Sequence, residues 1–196
     1  CSSITRIEIP SNVNSIGNYS FYNCELLKEV LFSPSSLLDS IDKDAFRLCK
    51  SLTEIVFPSS LTMIFDNAFR ECSSLQKVSF HSPSSLVTIC EYAFEKCSSL
   101  IEISFPPSLK FIEQYAFQDC SSLKEILFEN PSSLTSIGKN AFNICTSLNN
   151  VEIPKSVVSI GFDAFGKCTS LINISIPSSI NEYQIGLLST TTIKKI

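Results

Sequence analysis

Apolar residues return in one fixed frame along the whole chain. The frame reads Leu-x-x-Ile-x-Phe-Pro, then a second Leu-x-x-Ile, an Ala-Phe pair and a cysteine, and segment 52–72 shows it complete. In Leu-x-x-Ile-x-Phe the last two apolar residues are two apart, so both point to one side of an extended strand. The proline that follows cannot donate a ladder hydrogen bond and ends the strand. The frame therefore predicts one short strand per repeat, with a buried side and an outward side.

The period of the frame predicts a solenoid. Eight cysteines mark it, at positions 1, 24, 49, 72, 97, 120, 145 and 168. Short 23-residue intervals alternate strictly with long 25-residue intervals, so the pattern repeats in pairs of turns. A unit of this length cannot bury its own apolar side and needs a copy stacked about 4.8 Å away to close a shared core. Separate amphipathic helices are an unsuitable alternative, because no segment keeps the i, i+3, i+4, i+7 pattern for long enough.

Two aromatic ladders are expected inside the stack. The first contains the phenylalanines of the Ala-Phe pairs, namely Phe21, Phe46, Phe69, Phe94, Phe117, Phe142 and Phe165. The second contains the strand phenylalanines Phe32, Phe57, Phe80, Phe105 and Phe128. Packing thus accounts for twelve of the fifteen phenylalanines without a ligand.

The chain is interpreted as a single solenoid domain over residues 1–196, cut from a longer protein. From about residue 177 the frame becomes degenerate, with Leu187-Leu188 in place of the Ala-Phe pair. A short deletion would let Ile193-x-x-Ile196 restore the Leu-x-x-Ile motif. This last turn is either a cap or a cut point, because terminal repeats are often atypical.

The repeat resembles the BspA-type class of leucine-rich repeats. The segment 153–168, which runs Ile-Pro-Lys-Ser-Val-Val-Ser-Ile-Gly-Phe-Asp-Ala-Phe-Gly-Lys-Cys, matches that frame nearly in full, and the match recurs in register over essentially the whole chain. The resemblance implies a leucine-rich-repeat solenoid of the α/β horseshoe class with mainly β content and about eight turns. It also implies a surface or secreted protein that adheres to matrix proteins or host cells. The alternating 25-residue turns depart from the family frame.

Nine cysteines call for a disulfide or metal interpretation. Eight share one repeat position, where buried free thiols pack as small hydrophobes. Disulfides between adjacent turns remain an alternative by distance, but side chains in parallel register direct their sulfurs poorly. Zinc requires ligands that converge tetrahedrally, which one cysteine per turn does not supply. No metal site is therefore predicted for this ladder.

Cys90 lies outside the ladder, at the bend that Gly17, Gly138 and Gly161 occupy in other turns. Asp42, Phe65 and Glu113 also occur at this bend, so the position is not expected to require a positive φ. Two interpretations of Cys90 are open: a chance substitution, or a thiol that reaches solvent.

No constellation of catalytic residues is found. The single histidine, His81, lies in an insertion before a proline and is interpreted as a solvated spacer. The chain contains no phosphate-binding glycine loop, zinc helix or nucleophile elbow. We expect no enzyme activity, no cofactor and no metal.

Charge and hydropathy narrow the class of partner. A net charge of −4 provides no basic footprint, so no nucleic acid is expected as a partner. The longest apolar run is far shorter than the roughly 18 residues that span a bilayer, so no membrane insertion is expected within this segment. No signal peptide is visible.

The outward side of the predicted strands is the most informative surface. The candidate partner-binding residues there are Glu29, Leu31, Glu54, Val56, Lys77, Glu102, Glu125 and Leu127. Stacked glutamates beside exposed aliphatic residues suit a protein partner that is basic and partly apolar. The sequence therefore favours a non-enzymatic binding or adhesion module on a cell surface or secreted. The alternative is a structural spacer that projects another domain.

Overall fold

The protein is a solenoid built on two ladders of parallel strands, as seen in a computed structural model that describes residues 3–196. One long strand begins each turn directly after the first Leu-x of the frame. These strands are β1 (Arg6–Ile9), β3 (Glu29–Phe32), β5 (Glu54–Phe57), β7 (Lys77–Phe80), β9 (Glu102–Phe105), β11 (Glu125–Phe128), β13 (Asn150–Glu152), β15 (Asn173–Ile176) and β16 (Thr192–Lys195).

A two-residue strand follows each of the first seven long strands at the second Leu-x-x-Ile. These are β2 (Ser15–Ile16), β4 (Ser40–Ile41), β6 (Met63–Ile64), β8 (Thr88–Ile89), β10 (Phe111–Ile112), β12 (Ser136–Ile137) and β14 (Ser159–Ile160). They form one seven-stranded parallel sheet in chain order. The long strands form a two-stranded sheet, β1–β3, and a seven-stranded sheet from β5 to β16.

The strand register confirms the predicted period. Glu54 pairs with Lys77 across a short turn, and Lys77 pairs with Glu102 across the long turn that follows. Equivalent frame positions of successive turns are therefore neighbours in space, as the stacking argument requires. The solenoid fold with about eight turns and one continuous core is confirmed.

The side of each turn that carries the Ala-Phe pair is built from tight turns. The residues two before and two after each core phenylalanine have a positive φ, as Asp44 and Leu48 do around Phe46. This conformation turns backbone N–H groups towards the next coil: Phe46 donates to the Ala68 carbonyl at 2.8 Å and Leu48 to that of Arg70 at 2.9 Å. Within residues 3–196 the only helix is the three-residue 3₁₀ helix η1 (Glu182–Gln184), so this side of the horseshoe holds turns and no α-helix.

The first aromatic ladder is confirmed as a continuous stack. From Phe21 to Phe165 successive rings lie 5.1–5.4 Å apart and within 10° of parallel. The second ladder is wrong in part, because only Phe57 and Phe105 are fully buried. Their counterparts in the 25-residue turns lie half-buried at the sheet edge, where the extra residues follow the strand: Phe32, Phe80 and Phe128.

The cysteine ladder consists of buried thiols that also donate hydrogen bonds. Cys49, Cys72, Cys97, Cys120, Cys145 and Cys168 each donate from Sγ to the core phenylalanine carbonyl of the preceding turn, at 3.2–3.3 Å. Burial raises the pKa of Cys49 and of Cys168 to about 12, although a backbone hydrogen bond to each thiol lowers the pKa by a smaller amount. The thiol interpretation holds for these six. Cys24 is disulfide-bonded, which was the open alternative, and Cys1 lies outside the described residues.

The predicted alignment of the last turn is wrong. In β16, Ile193 pairs with Ile174, whereas the restored motif would have placed it beside Leu171. This turn is shorter than every turn before it, because η1 replaces the wider Ala-Phe turn. The N–H of Phe165 donates to the Ile185 carbonyl, so the shortened turn still covers the end of the ladder.

Candidate binding face

The long strands from β1 to β15 direct alternate side chains to the core and to solvent, and this alternation creates one outward surface. In β5 the side chains of Ile55 and Phe57 are buried while Glu54 and Val56 are exposed. We call the outward surface of the long strands from β1 to β15 the outer face. Its two rows of side chains are Arg6, Glu29, Glu54, Lys77, Glu102, Glu125, Asn150 and Asn173, and Glu8, Leu31, Val56, Ser79, Ser104, Leu127, Glu152 and Ser175.

The outer face carries the acidic excess of the protein. Its sixteen positions hold six carboxylates and two cations, a difference that equals the net charge of −4 of the whole chain. Arg6 and Glu29 form an ion pair at 3.2 Å. Among the described residues, no cation lies within ion-pair distance of Glu54, Glu102 or Glu125. Since Glu102 and Glu125 are direct neighbours in register, their carboxylates repel each other.

Exposed aliphatic side chains interrupt this acidic surface. Val56 is 41% exposed and Leu127 is 47% exposed, whereas Leu31 is half-buried. A shallow cavity of about 200 Å³ lies on the face over β7, β9 and β11. Lys77, Glu102 and Leu127 border it, together with the half-buried ring of Phe80. The face thus offers an apolar depression with charged walls.

A second cavity adjoins the first at the edge of the sheet where the long strands end. It has a volume of about 390 Å³ and lies between the projecting loops of two 25-residue turns. The floor is Pro106-Pro107 of the intervening short turn, and the walls include Pro83 and Pro131. His81, which sequence analysis interpreted as a spacer, lines this cavity with an exposed side chain. Sequence analysis missed the cavity, although the alternation of short and long turns was its signal.

The structure brings only part of the predicted binding set together. Lys77, Glu102 and Leu127 share one cavity. Glu54 and Val56 lie one strand away in the same sheet, and Glu125 is next to Glu102 in register. Glu29 and Leu31 belong to the separate two-stranded sheet. The eight candidates therefore form a central group on β5–β11 and a pair on β3, which packs beside β5 without sharing its ladder.

A cluster on another surface joins residues that sequence analysis considered separately. Cys90 and Glu113 occupy the bend after β8 and β10, and Asp66 follows the equivalent bend after β6. One ligand atom of each of these three side chains lies within 4.8 Å of the other two. The shared bend position of Cys90 and Glu113 was the signal in the sequence, but the contribution of Asp66 depends on the register.

The structure rules out the interpretation that the Cys90 thiol reaches solvent. Only 6% of its surface is exposed. Burial raises the pKa of Cys90 to about 12, and the negative charges of Glu113, Asp66 and Glu91 act in the same direction. The pKa of Glu113 is raised as well, by burial first and then by Asp66 and Glu91, against one backbone hydrogen bond. The predicted freedom from positive φ at this bend is confirmed, because Cys90 and Glu113 are not in that region.

Among the described residues, two acids are buried, Asp44 and Glu95, and both lie outside the outer face. The surroundings of Glu95 shift its pKa. Its carboxylate forms an ion pair with the Arg70 guanidinium, which in turn lies over the ring of Tyr92 at 5.4 Å. Burial nevertheless raises the pKa of Glu95, and the attraction of Arg70 and Lys96 only partly opposes this. These contacts lie on the side of the turns that carries the Ala-Phe pairs.

Comparison with known proteins identifies the repeat. The model of the BspA-type leucine-rich repeat region matches residues 1–124 and 87–196, with six copies. No curated protein matches the chain.

Several solved structures share the fold. A leucine-rich repeat protein of T. pallidum, TpLRR, is 27% identical with a TM-score of 0.73, over 85% of this chain and 78% of that one. A leucine-rich repeat protein from Eubacterium ventriosum is 25% identical with a TM-score of 0.78, over 94% of this chain. The pneumococcal vaccine antigen PcpA is 20% identical with a TM-score of 0.52, over 98% of this chain and 66% of that one. This chain spans 47% of the E. ventriosum protein.

Across the described residues, no helix has the length and apolar character needed to cross a bilayer.

Proposed function

Because the chain belongs to the BspA-type leucine-rich repeat family, we propose that it is a non-enzymatic adhesion module of a surface or secreted protein. It binds a protein partner on the outer face between β5 and β11. The observation that carries this proposal is the cavity bordered by Lys77, Glu102 and Leu127. It lies on a face where the described carboxylates of Glu54, Glu102 and Glu125 form no ion pair.

The chemistry of the face specifies the partner. Unpaired carboxylates on Glu54, Glu102 and Glu125 favour Lys and Arg side chains, which raise the association rate through long-range attraction. Burial of the exposed side chains of Val56 and Leu127 by a partner lowers the free energy, because apolar surface is removed from water. A protein segment that alternates basic and aliphatic residues meets both requirements.

The edge cavity extends this surface. Its proline walls are apolar and carry no backbone N–H, while the hydroxyl of Ser108 and the ring of His81 provide polar groups beside them. We assign it an apolar or aromatic side chain of the same partner, since rigid apolar pockets are where binding energy concentrates.

Surface plasmon resonance on a panel of immobilised extracellular-matrix proteins tests the proposal. Charge reversal at Glu54→Lys or Glu102→Lys is expected to weaken binding by about tenfold, mainly through the association rate, and to reduce its salt dependence. The matched control is Glu25→Lys, an equal charge change at an exposed residue that pairs with Lys50 away from the face. Truncation of Leu127 to Ala is expected to accelerate dissociation.

Two results would contradict the proposal. Equal loss in Glu25→Lys and Glu102→Lys would show that net charge matters and the outer face does not. Unchanged binding in every outer-face variant would favour the spacer, whose repeats matter only through their length.

A further inference from the structure

Three consecutive turns place a thiol and two carboxylates at one point of the bend beside the short strands. The register of β6, β8 and β10 stacks Ile64 on Ile89 and Ile89 on Ile112, so the bends that follow these strands are neighbours. Cys90 and Glu113 come directly after their strands, and Asp66 comes one residue later in its turn, after Phe65. Cys90 lies in the middle turn, and Asp66 and Glu113 flank it from either side. Their ligand atoms are within 4.8 Å of one another.

The Cys90 thiol is unlike the other described free thiols. Six of the seven donate a hydrogen bond to a phenylalanine carbonyl of the preceding turn, and each fills a place in the core ladder. Cys90 is 94% buried, since 6% of its surface is exposed, and donates no such bond. It is a buried polar group directed at two carboxylates.

The surroundings provide no protein cation for this negative cluster. No described lysine or arginine forms an ion pair with Asp66 or Glu113. Two half-buried carboxylates without a counter-charge are costly, and a bound cation removes that cost.

We propose that Asp66, Cys90 and Glu113 bind one Zn²⁺ ion, with water in the fourth position. Zinc accepts thiolate and carboxylate ligands together, whereas Mg²⁺ and Ca²⁺ require oxygen ligands. Bonds of about 2.3 Å to sulfur and about 2.1 Å to oxygen set tetrahedral edges of roughly 3.5 Å. The ligand atoms lie within 4.8 Å of one another, so binding requires the two half-buried carboxylate side chains to rotate towards Cys90.

Binding has a defined proton balance and a structural consequence. The ion bonds to the Cys90 thiolate, and the thiol proton passes to solvent. Because the three ligands come from three successive turns, the ion adds coordinate bonds between coils that otherwise meet through packing, hydrogen bonds and the Arg70–Glu95 ion pair. The site therefore reinforces the middle of the solenoid.

Titration of the reduced 196-residue chain with zinc chloride, in competition with a chromophoric chelator, tests the proposal. We expect one ion per folded chain and a rise in the melting temperature with zinc. Substitution with Co²⁺ should give a sulfur-to-metal charge-transfer band. Cys90→Ser should remove that band and weaken zinc binding at least about tenfold, and Asp66→Asn or Glu113→Gln should weaken it to a similar degree.

Controls separate the site from general effects of charge and folding. Asp42→Asn changes a carboxylate at the same bend one turn before that of Asp66 and two turns before that of Cys90. It should leave zinc affinity unchanged within about twofold. Far-ultraviolet circular dichroism verifies that each variant is folded. The proposal is overturned if folded Cys90→Ser binds zinc as tightly as the unaltered chain, if the cobalt form lacks the sulfur band, or if no stoichiometric binding occurs.

Discussion

Replacement of Phe94 by alanine tests whether the turns are held together by one continuous aromatic stack. Phe94 is fully buried and lies between Phe69 and Phe117, at 5.2 Å from each ring. Burial of a phenylalanine and the resulting cavity together cost about 3–5 kcal/mol when the ring is removed. Two lost ring pairs, at about 0.5–1.5 kcal/mol each, place the expected loss near the upper end, at about 4–5 kcal/mol.

Phe128 provides the matched control for this measurement. Its ring is half-buried at the sheet edge and contacts Phe105 at 5.3 Å. Because a half-buried ring loses only about half of the free energy of full burial, Phe128→Ala is expected to cost about 1.5 kcal/mol.

Urea unfolding under reducing conditions, followed by far-ultraviolet circular dichroism, measures both losses. A lesion in the middle of a stack interrupts interfaces on two sides, so Phe94→Ala should also broaden the transition. If Phe94→Ala costs no more than Phe128→Ala, the rings do not form a shared core and do not hold the turns together.

Three further predictions concern single positions. Gly138→Ala should destabilise the fold by about 1–3 kcal/mol, because a Cβ there would meet the backbone nitrogen of Gln114 at 2.4 Å. The control is Gly17→Ala, whose Cβ would meet only a serine hydroxyl and which should be nearly neutral in the same thermal melts. The raised pKa of Glu95 means that the folded state holds the proton more tightly than the unfolded state, so its contribution is most favourable below the unfolded value of 4.5 and declines as pH rises through the folded pKa. Glu95→Gln should remove this decline from a pH series of melting temperatures, and an unchanged pH slope would contradict the assignment. Cys120→Ala should cost about 1 kcal/mol in urea unfolding, since the Phe94 carbonyl retains its backbone donor from Cys97; a loss above about 3 kcal/mol would contradict this.

The repeat frame predicted the strands well because their faces depend on local spacing. Ile55 and Phe57 are two residues apart in an extended segment, so they share a side whatever the rest of the chain does. The last turn shows where this reasoning fails. Ile193 reproduces the spacing of the motif, but hydrogen bonding to β15 selected a different register once η1 had shortened the turn.

The same distinction between local spacing and stacking applies to the candidate sites. Sequence spacing placed Glu54, Val56 and Glu102 on one outward face, and the structure agrees. Sequence spacing could not reveal the cavity between two long-turn loops, because that space depends on how far the loops project beyond a short turn.

By itself, the sequence determined the period, the inward and outward positions and the family. Each of these follows from the spacing of residues along the chain, which recurs from one coil to the next. Only the tertiary structure decided which coils share a cavity and that Asp66, Cys90 and Glu113 meet. Residues about two dozen positions apart become neighbours only when stacking fixes the register between coils, and that register is a property of the assembled ladder.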